Sequence, residues 1–215
     1  MAEIGRIPDN GPRDVELTSS CLLALDRLLR FVRSAPPRLL LARFCSPLLL
    51  FLDGSADPSV STESGFNAAI GGCLLDPSTR SYSYFGGEVP QRILCKWVAG
   101  GAKHVIAQAE LLPALVSRHL FRRALSERPV LCFIDNESAR SGLIKGSSRN
   151  EDSAEIIEEF VSLDMVAHAA FWFARVPSAS NLADDPSRGR APQSLAGWAA
   201  PERCALHFAF KPYGP

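Results

Sequence analysis

Four acidic residues stand where carboxylates can do chemistry: Asp53, Glu110, Asp135 and Asp184. Asp53 closes the apolar run FLD, and Asp135 closes FID. Glu110 lies in AQAELLPAL, and Asp184 in NLADDPSRG. Singly, each has an ordinary reading. An acid after a strand is a turn or cap residue, an acid on a helix is a solvated charge, and an acid opening a helix is favoured by the helix dipole. Gathered in one place, four carboxylates repel and their pKa values rise. Divalent cations resolve this, and an all-oxygen donor set suits Mg²⁺ or Mn²⁺. Two such ions about 4 Å apart activate a water and stabilise the leaving oxygen of an in-line phosphodiester displacement.

The acids can meet only if the elements bring them together. PLLLFLDGS (47–55) is a short apolar run ending in a turn signal, which predicts a central buried strand. FNAAIGGCLLDP (66–77) and SYSYFGGEV (81–89) predict two more strands, with Asp76-Pro77-Ser78 as the turn. The three form an antiparallel meander. Residues 105–125 predict a helix, with Ala109, Leu112, Val116, Leu120 and Leu125 on one face. Pro113 is costly inside it. VLCFIDN (130–136) predicts a fourth strand, 138–170 one or two helices, and AFWFARVP (170–177) a fifth strand. NLADDPSRG (181–189) predicts a short helix capped by Asn181. Strands four and five are each reached through a helix, so both add in parallel. Ligands of open α/β sheets sit at the carboxyl ends of strands where the order reverses. That places Asp53 beside Asp135, with Glu110 on the facing helix and Asp184 opening the last one.

Ahead of this, residues 1–14 read as mobile and 15–34 as an amphipathic helix. Thr18, Ser19 and Ser20 offer caps, Leu22, Leu25, Leu28, Leu29 and Val32 recur at helical spacing, and Pro36-Pro37 stops it. Arg27, Arg30, Arg33, Arg38 and Arg43 make this part basic, which reads as a solvated face ahead of a nucleic-acid arm. The expected organisation is an extension (1–46) with one helix, a catalytic domain (47–190) and a patternless tail (191–215).

Composition bounds the rest. The 215 residues suit one compact domain plus an extension, or two small domains. Lys plus Arg equals Asp plus Glu, 23 each, so any attraction to nucleic acid is local. The six cysteines include no C-x-x-C pair and read as buried free thiols of a reducing compartment, which predicts an intracellular protein of cytoplasm or nucleus. The opening lacks the apolar region of a signal peptide, and no run is long enough to span a membrane, so no membrane partner is expected.

FLDGS (51–55), AQAELLPAL (107–115), FIDNESA (133–139) and VPSASNLADDPSRG (176–189) occur in that order. The set resembles the ribonuclease H family over about 48–190. Its ending is similar to that of retroelement reverse transcriptases, hepadnavirus polymerases above all, where Asn, then Ala-Asp, then Ser-Arg recur. The resemblance implies an α/β fold with a ribonuclease H-like mixed five-stranded sheet, three antiparallel strands then two parallel, flanked by helices. It implies an endonuclease hydrolysing the RNA strand of RNA–DNA hybrids by a two-metal mechanism. Two Mg²⁺ (or Mn²⁺) would be held by Asp53, Glu110, Asp135 and Asp184, with Asp53 bridging both. Asp184 is taken over Asp185 because the motif's Ala-Asp falls at Ala183-Asp184; Asp185 is then a helix-start charge or an outer group. It also implies an attached or associated reverse transcriptase, with the 15–34 helix as the remnant, or the end, of its connecting segment.

Such a hybrid is recognised by groove shape and 2′-hydroxyls, through backbone contacts that weaken with salt. Ser55, Asn136, Arg175 and Arg188 are the expected nucleic-acid contacts. Arg175 stands near the place where many relatives carry a histidine. The basic protrusion of cellular type 1 enzymes is not evident, and the 138–170 region is acidic, read as a solvated face. Lys96, Trp97, Lys103, Lys145 and Arg149 are further expected contacts, although Trp97 and Trp172 read as core aromatics before they read as stacking platforms. The alternative function is a non-catalytic ribonuclease H-like module that binds nucleic acid or protein. Transposases and integrases of related design end in Glu, and proofreading exonucleases carry Asp-x-Glu where this chain has Asp53-Gly54-Ser55. A small-molecule enzyme on a doubly wound sheet would need a Gly-rich loop after the first strand, and there is none.

Overall fold

A computed structural model describes residues 17–34, 46–167 and 169–214. The chain divides into two units, Met1–Pro37 and Arg38–Pro215. The first contains helix α1 (Ser19–Ser34). Thr18 Oγ1 accepts the Cys21 N–H at 3.3 Å, the expected cap. Leu22, Leu25, Leu28, Leu29 and Val32 are all exposed. The expected mobility of 1–14, the stop at Pro36-Pro37, and Arg38 and Arg43 lie outside the described residues.

In the second unit, three strands come first: β1 (Leu48–Pro58), β2 (Phe66–Asp76) and β3 (Ser81–Glu88). Helices α2 (Gln91–Ala99), α3 (Ile106–Leu120) and α4 (Arg122–Leu125) follow. Then come β4 (Pro129–Ile134), α5 (Glu137–Lys145), α6 (Glu151–Ala167) and β5 (Ala170–Arg175). A 3-10 turn (Ser178–Ser180), α7 (Asp184–Ser187) and the two-residue β6 (Glu202–Arg203) complete the order. The sheet runs β5-β4-β1-β2-β3-β6. β1, β2 and β3 pair antiparallel, and β4 and β5 add in parallel. This is the expected mixed sheet, extended to six strands because β6 pairs parallel to β3.

β1 is apolar at successive positions because both faces of the sheet are covered. Leu48, Leu50 and Leu52 are buried in the core that includes residues of α2, α3, α5 and α6. Leu49 and Phe51 pack into a second cluster with Cys73, Leu75, Tyr82, Leu182, Leu195 and Trp198. The segment after β5 thus supplies the cover of that second face.

Three elements differ from expectation. α2 was not expected; its buried Ile93, Leu94 and Trp97 form one short face just after Pro90. The 105–125 helix is interrupted at Phe121, which caps α3 and precedes α4. The tail is not patternless: Trp97 Nε1 donates to the Tyr213 hydroxyl at 2.9 Å, Arg92 donates to the Phe208 and Tyr213 carbonyls, and Phe210 stacks on His119. Its aromatics pack by tertiary contact, which has no local period to read. Among the described residues no helix is long and apolar enough to cross a membrane.

Candidate active site

The register of β1 and β4 sets Leu52 level with Ile134. Asp53 and Asp135 are the next residues. Asp135 lies just beyond the end of β4, whereas Asp53 stays in the sheet opposite Gly71, because β1 runs on to Pro58 and does not end at Asp53 as expected. Glu110 arrives from α3 because residue 54 is glycine. A Cβ there would stand 2.3 Å from the Ala109 carbonyl oxygen and 2.7 Å from the Glu110 nitrogen. With no side chain at 54, the helix backbone rests directly on the strand. Pro113, within α3, has no N–H to offer the Ala109 carbonyl four residues earlier. The carbonyl that the proline leaves without its helical partner is therefore the one that lies against Gly54 of β1. One carboxylate oxygen from each of Asp53, Glu110 and Asp135 lies within 4.8 Å of the other two.

Crowding and burial leave this group short of positive charge. Asp53 and Glu110 are each only 7% exposed. Burial, then the charges of Asp135 and Asp184, raise the Asp53 pKa from 3.8 to about 6, with Ser187's hydrogen bond and Arg188 acting against the rise. Burial, then Asp135 and Asp53, push Glu110 from 4.5 to about 8, against hydrogen bonds from the Gly54 N–H and the Asn136 side chain. Glu110 Oε2 and Asp135 Oδ1 are buried with no hydrogen-bond partner among the described residues. Buried acceptors without partners are costly. A divalent cation fits this site: the donors are hard oxygens, and two of them lack any other partner.

Asp184 reaches the neighbourhood by a different route. Cβ atoms at Gly71 and Gly86 would stand 2.4 Å from the Ser187 nitrogen and 2.1 Å from the Pro186 oxygen. These two glycines let α7 lie on β2 and β3. Asp184 is near enough to act on Asp53, but its carboxylate is not one of the converging three. Arg188 holds its Oδ1 through Nε and Nη2, both at 2.9 Å, and Arg190 Nη2 lies 3.9 Å from Oδ2. Asp185 pairs with Arg190 at 2.8 Å.

The expected nucleic-acid contacts separate into groups. Ser55 is half-buried on β1, two residues beyond Asp53. Asn136 caps α5, its Oδ1 accepting the Ala139 N–H at 3.0 Å, while its side chain also bonds Glu110. Arg175 is exposed at the end of β5, level with Ile134. Arg188 is exposed and engaged with Asp184. Lys103, Lys145 and Arg149 are exposed. Trp97 is fully buried, and Lys96 pairs with Glu155 at 2.5 Å. Trp172 is 71% exposed, so its reading as a core aromatic is corrected: β5 is an edge strand and its outward positions are uncovered. The acidic face of α6 is only partly solvated, since Asp152 is buried and Asp164 lies 3.4 Å from the buried guanidinium of Arg118.

Three polar residues were not read as part of the site in the sequence. Asn181 is not the cap of α7, a place taken by Ala183. Its Nδ2 donates to the Leu52 carbonyl at 2.9 Å and to Asp53 Oδ1 at 3.3 Å, and its Oδ1 accepts the Ala183 N–H at 3.2 Å. Ser187 Oγ donates to Asp53 Oδ2. Ser178 Oγ donates to Asp135 Oδ2 at 2.7 Å. Their signal was their presence in the same short motif as Asp184.

No protein-family model matches this chain, and no curated protein matches it. Solved structures do. One is RNase H1 from the halophilic archaeon Halobacterium salinarum NRC-1, at 15% identity and a TM-score of 0.46, covering 66% of this chain and 96% of that one. Another is the N-terminal RNase H domain of a Mycobacterium tuberculosis protein, at 12% identity and a TM-score of 0.47, covering 67% and 93%. A third is the foamy viral protease-reverse transcriptase in complex with an RNA/DNA hybrid, at 10% identity and a TM-score of 0.48, covering 81% of this chain and 26% of that one. The structures to which this chain is similar are thus RNase H domains, free-standing or joined to a reverse transcriptase, and the likeness is one of fold.

Proposed function

We propose that this chain is a ribonuclease H that hydrolyses the RNA strand of RNA–DNA hybrids, acting as an endonuclease with two Mg²⁺ or Mn²⁺. The observation that carries this reading is the group of carboxylates of Asp53 and Glu110, both buried, and half-buried Asp135, converging within 4.8 Å, with Glu110 and Asp135 each left with an unpartnered oxygen. The four ordered motifs of the sequence support the same assignment. Asp53, Glu110 and Asp135 would hold one ion, and Asp184, now paired with Arg188, would supply a ligand for the second. When bound, the ions supply an activated water and stabilise the leaving oxygen. Ser55, Asn136, Arg175 and Arg188 contact the hybrid backbone near the acids, so affinity should fall with salt.

The catalytic domain is taken as 47–190, with 1–46 as an extension, 191–215 as a tail, and a reverse transcriptase as the attached or associated partner. The free thiols of Cys73 and Cys132, both buried, support an intracellular setting. The ion pairs on Asp184 favour one competing reading, a module that binds hybrids without cutting them.

The test is cleavage of a labelled hybrid at low salt with Mn²⁺. The expected result is cut RNA, intact double-stranded DNA, and no cleavage by a folded Asp53→Asn variant. A hybrid bound but left uncut would establish the module instead. Cleavage that survives Asp53→Asn would place the activity elsewhere.

A further inference from the structure

Asp53 is gripped on both oxygens by the segment that carries Asp184. Asn181 Nδ2 reaches Oδ1 and Ser187 Oγ reaches Oδ2. Both donors are buried, Asn181 at 6% and Ser187 at 2% exposure. Ser187 Oγ also lies 2.9 Å from the Asp184 carbonyl. A hydroxyl has one proton to give, and an ionised carboxylate is the stronger acceptor. The Ser187 backbone is anchored independently, its N–H donating to the Ala183 carbonyl at 3.0 Å. Its hydroxyl is therefore not needed to close the turn. Asn181 has a second duty, tying the Leu52 carbonyl to the segment.

We propose that Ser187 and Asn181 are positioning residues for Asp53: two neutral donors fix its carboxylate in the rotamer that meets Glu110 and Asp135, and so set the affinity of the site for a divalent cation. The inference rests on the cation-binding reading of these acids. Neither residue touches the cation or the substrate. The donors take one lone pair from each Asp53 oxygen and leave another on each, free for a cation. Partners of this kind are worth about ten- to a hundred-fold in metal affinity. The motif that spells Asn181, Asp184 and Ser187 then serves Asp53 as much as Asp184.

The test is direct Mn²⁺ titration of the full chain by calorimetry, with thermal melting in EDTA alongside. Ser187→Ala should bind Mn²⁺ about ten- to a hundred-fold more weakly while melting in EDTA within a few degrees of wild type. Ser187→Cys, which keeps the volume but donates feebly, should lose affinity as well. Ser187→Thr, where it folds, should recover it. Wild-type affinity in a folded Ser187→Ala or Ser187→Cys variant would overturn the inference. Failure of both to fold would assign the hydroxyl to stability and overturn it too. A wild-type chain that binds no Mn²⁺ would sink the cation reading itself, and the two failures are therefore distinguishable.

Discussion

Replacing Glu110 by Gln should stabilise the cation-free protein at neutral pH and weaken the cation-loaded one. The Glu110 pKa is raised from 4.5 to about 8, by burial first and then by Asp135 and Asp53. The folded state thus keeps a proton that the unfolded chain releases near pH 4.5. Stability from this group is full below pH 4.5 and is lost as pH rises from there through about 8. At about 1.4 kcal/mol per pH unit, the interval from pH 4.5 to 7 corresponds to about 3 kcal/mol. Gln carries no charge and keeps an oxygen to accept from the Gly54 N–H, so it avoids that loss. For a chain of this size, 1 kcal/mol moves Tm by roughly 2–4 °C. Glu110→Gln should therefore melt on the order of 6–12 °C above wild type at pH 7 in EDTA, and level with it at pH 4.5. Saturating Mn²⁺ should invert the order, because only wild type gains full binding free energy. Circular-dichroism melts at the two pH values, with EDTA and with Mn²⁺, decide it. A variant that melts below wild type at pH 7 in EDTA, or a gap that fails to close toward pH 4.5, refutes the electrostatic account.

Gly54→Ala should shift α3 away from β1, since the new Cβ meets the Ala109 oxygen at 2.3 Å and a backbone atom cannot swing aside. The expected loss is about 1–3 kcal/mol with weaker Mn²⁺ binding, and wild-type melting and affinity would show that this contact does not place Glu110. Arg188→Ala breaks an exposed ion pair, so stability should change by less than about 1 kcal/mol. Calorimetry should show a second Mn²⁺ bound more tightly as Asp184 is released, and an unchanged second event would remove Asp184 from the ligand set.

The strands were legible because β1, β2 and β4 write their burial as short apolar runs. Their parallel or antiparallel sense followed from what lies between them. α2 was not legible: nine residues give too few turns for a period, and its buried Trp97 reads as well from a loop. The tail was illegible for a different reason. Tyr213 is buried by meeting Trp97, more than a hundred residues earlier, and no local pattern encodes that contact. At the site, Asp53 and Asp135 could be read from the ends of apolar runs because the β1–β4 register alone makes them neighbours, although β1 itself continues past Asp53 to Pro58. Glu110 needed the topology. Asn181 looked like a cap because Asn before a short helix usually is one, and only the fold reveals that its amide turns to β1.

The positions that break local rules gather around the acids. Gly54 and Gly71 weaken strands that a β-branched residue would favour, and Gly86 does the same in β3. Pro113 interrupts the ladder of α3. Glu110 puts an unpartnered carboxylate oxygen in a buried place on that helix. Taken separately these are five defects in four elements. Each glycine admits a backbone segment that a side chain would exclude, α3 at Gly54 and α7 at Gly71 and Gly86. The proline frees the one carbonyl that faces Gly54. Local stability is given up wherever a carboxylate-bearing turn must come close to the sheet, and a chain selected for stability alone would have little reason to place these exceptions together.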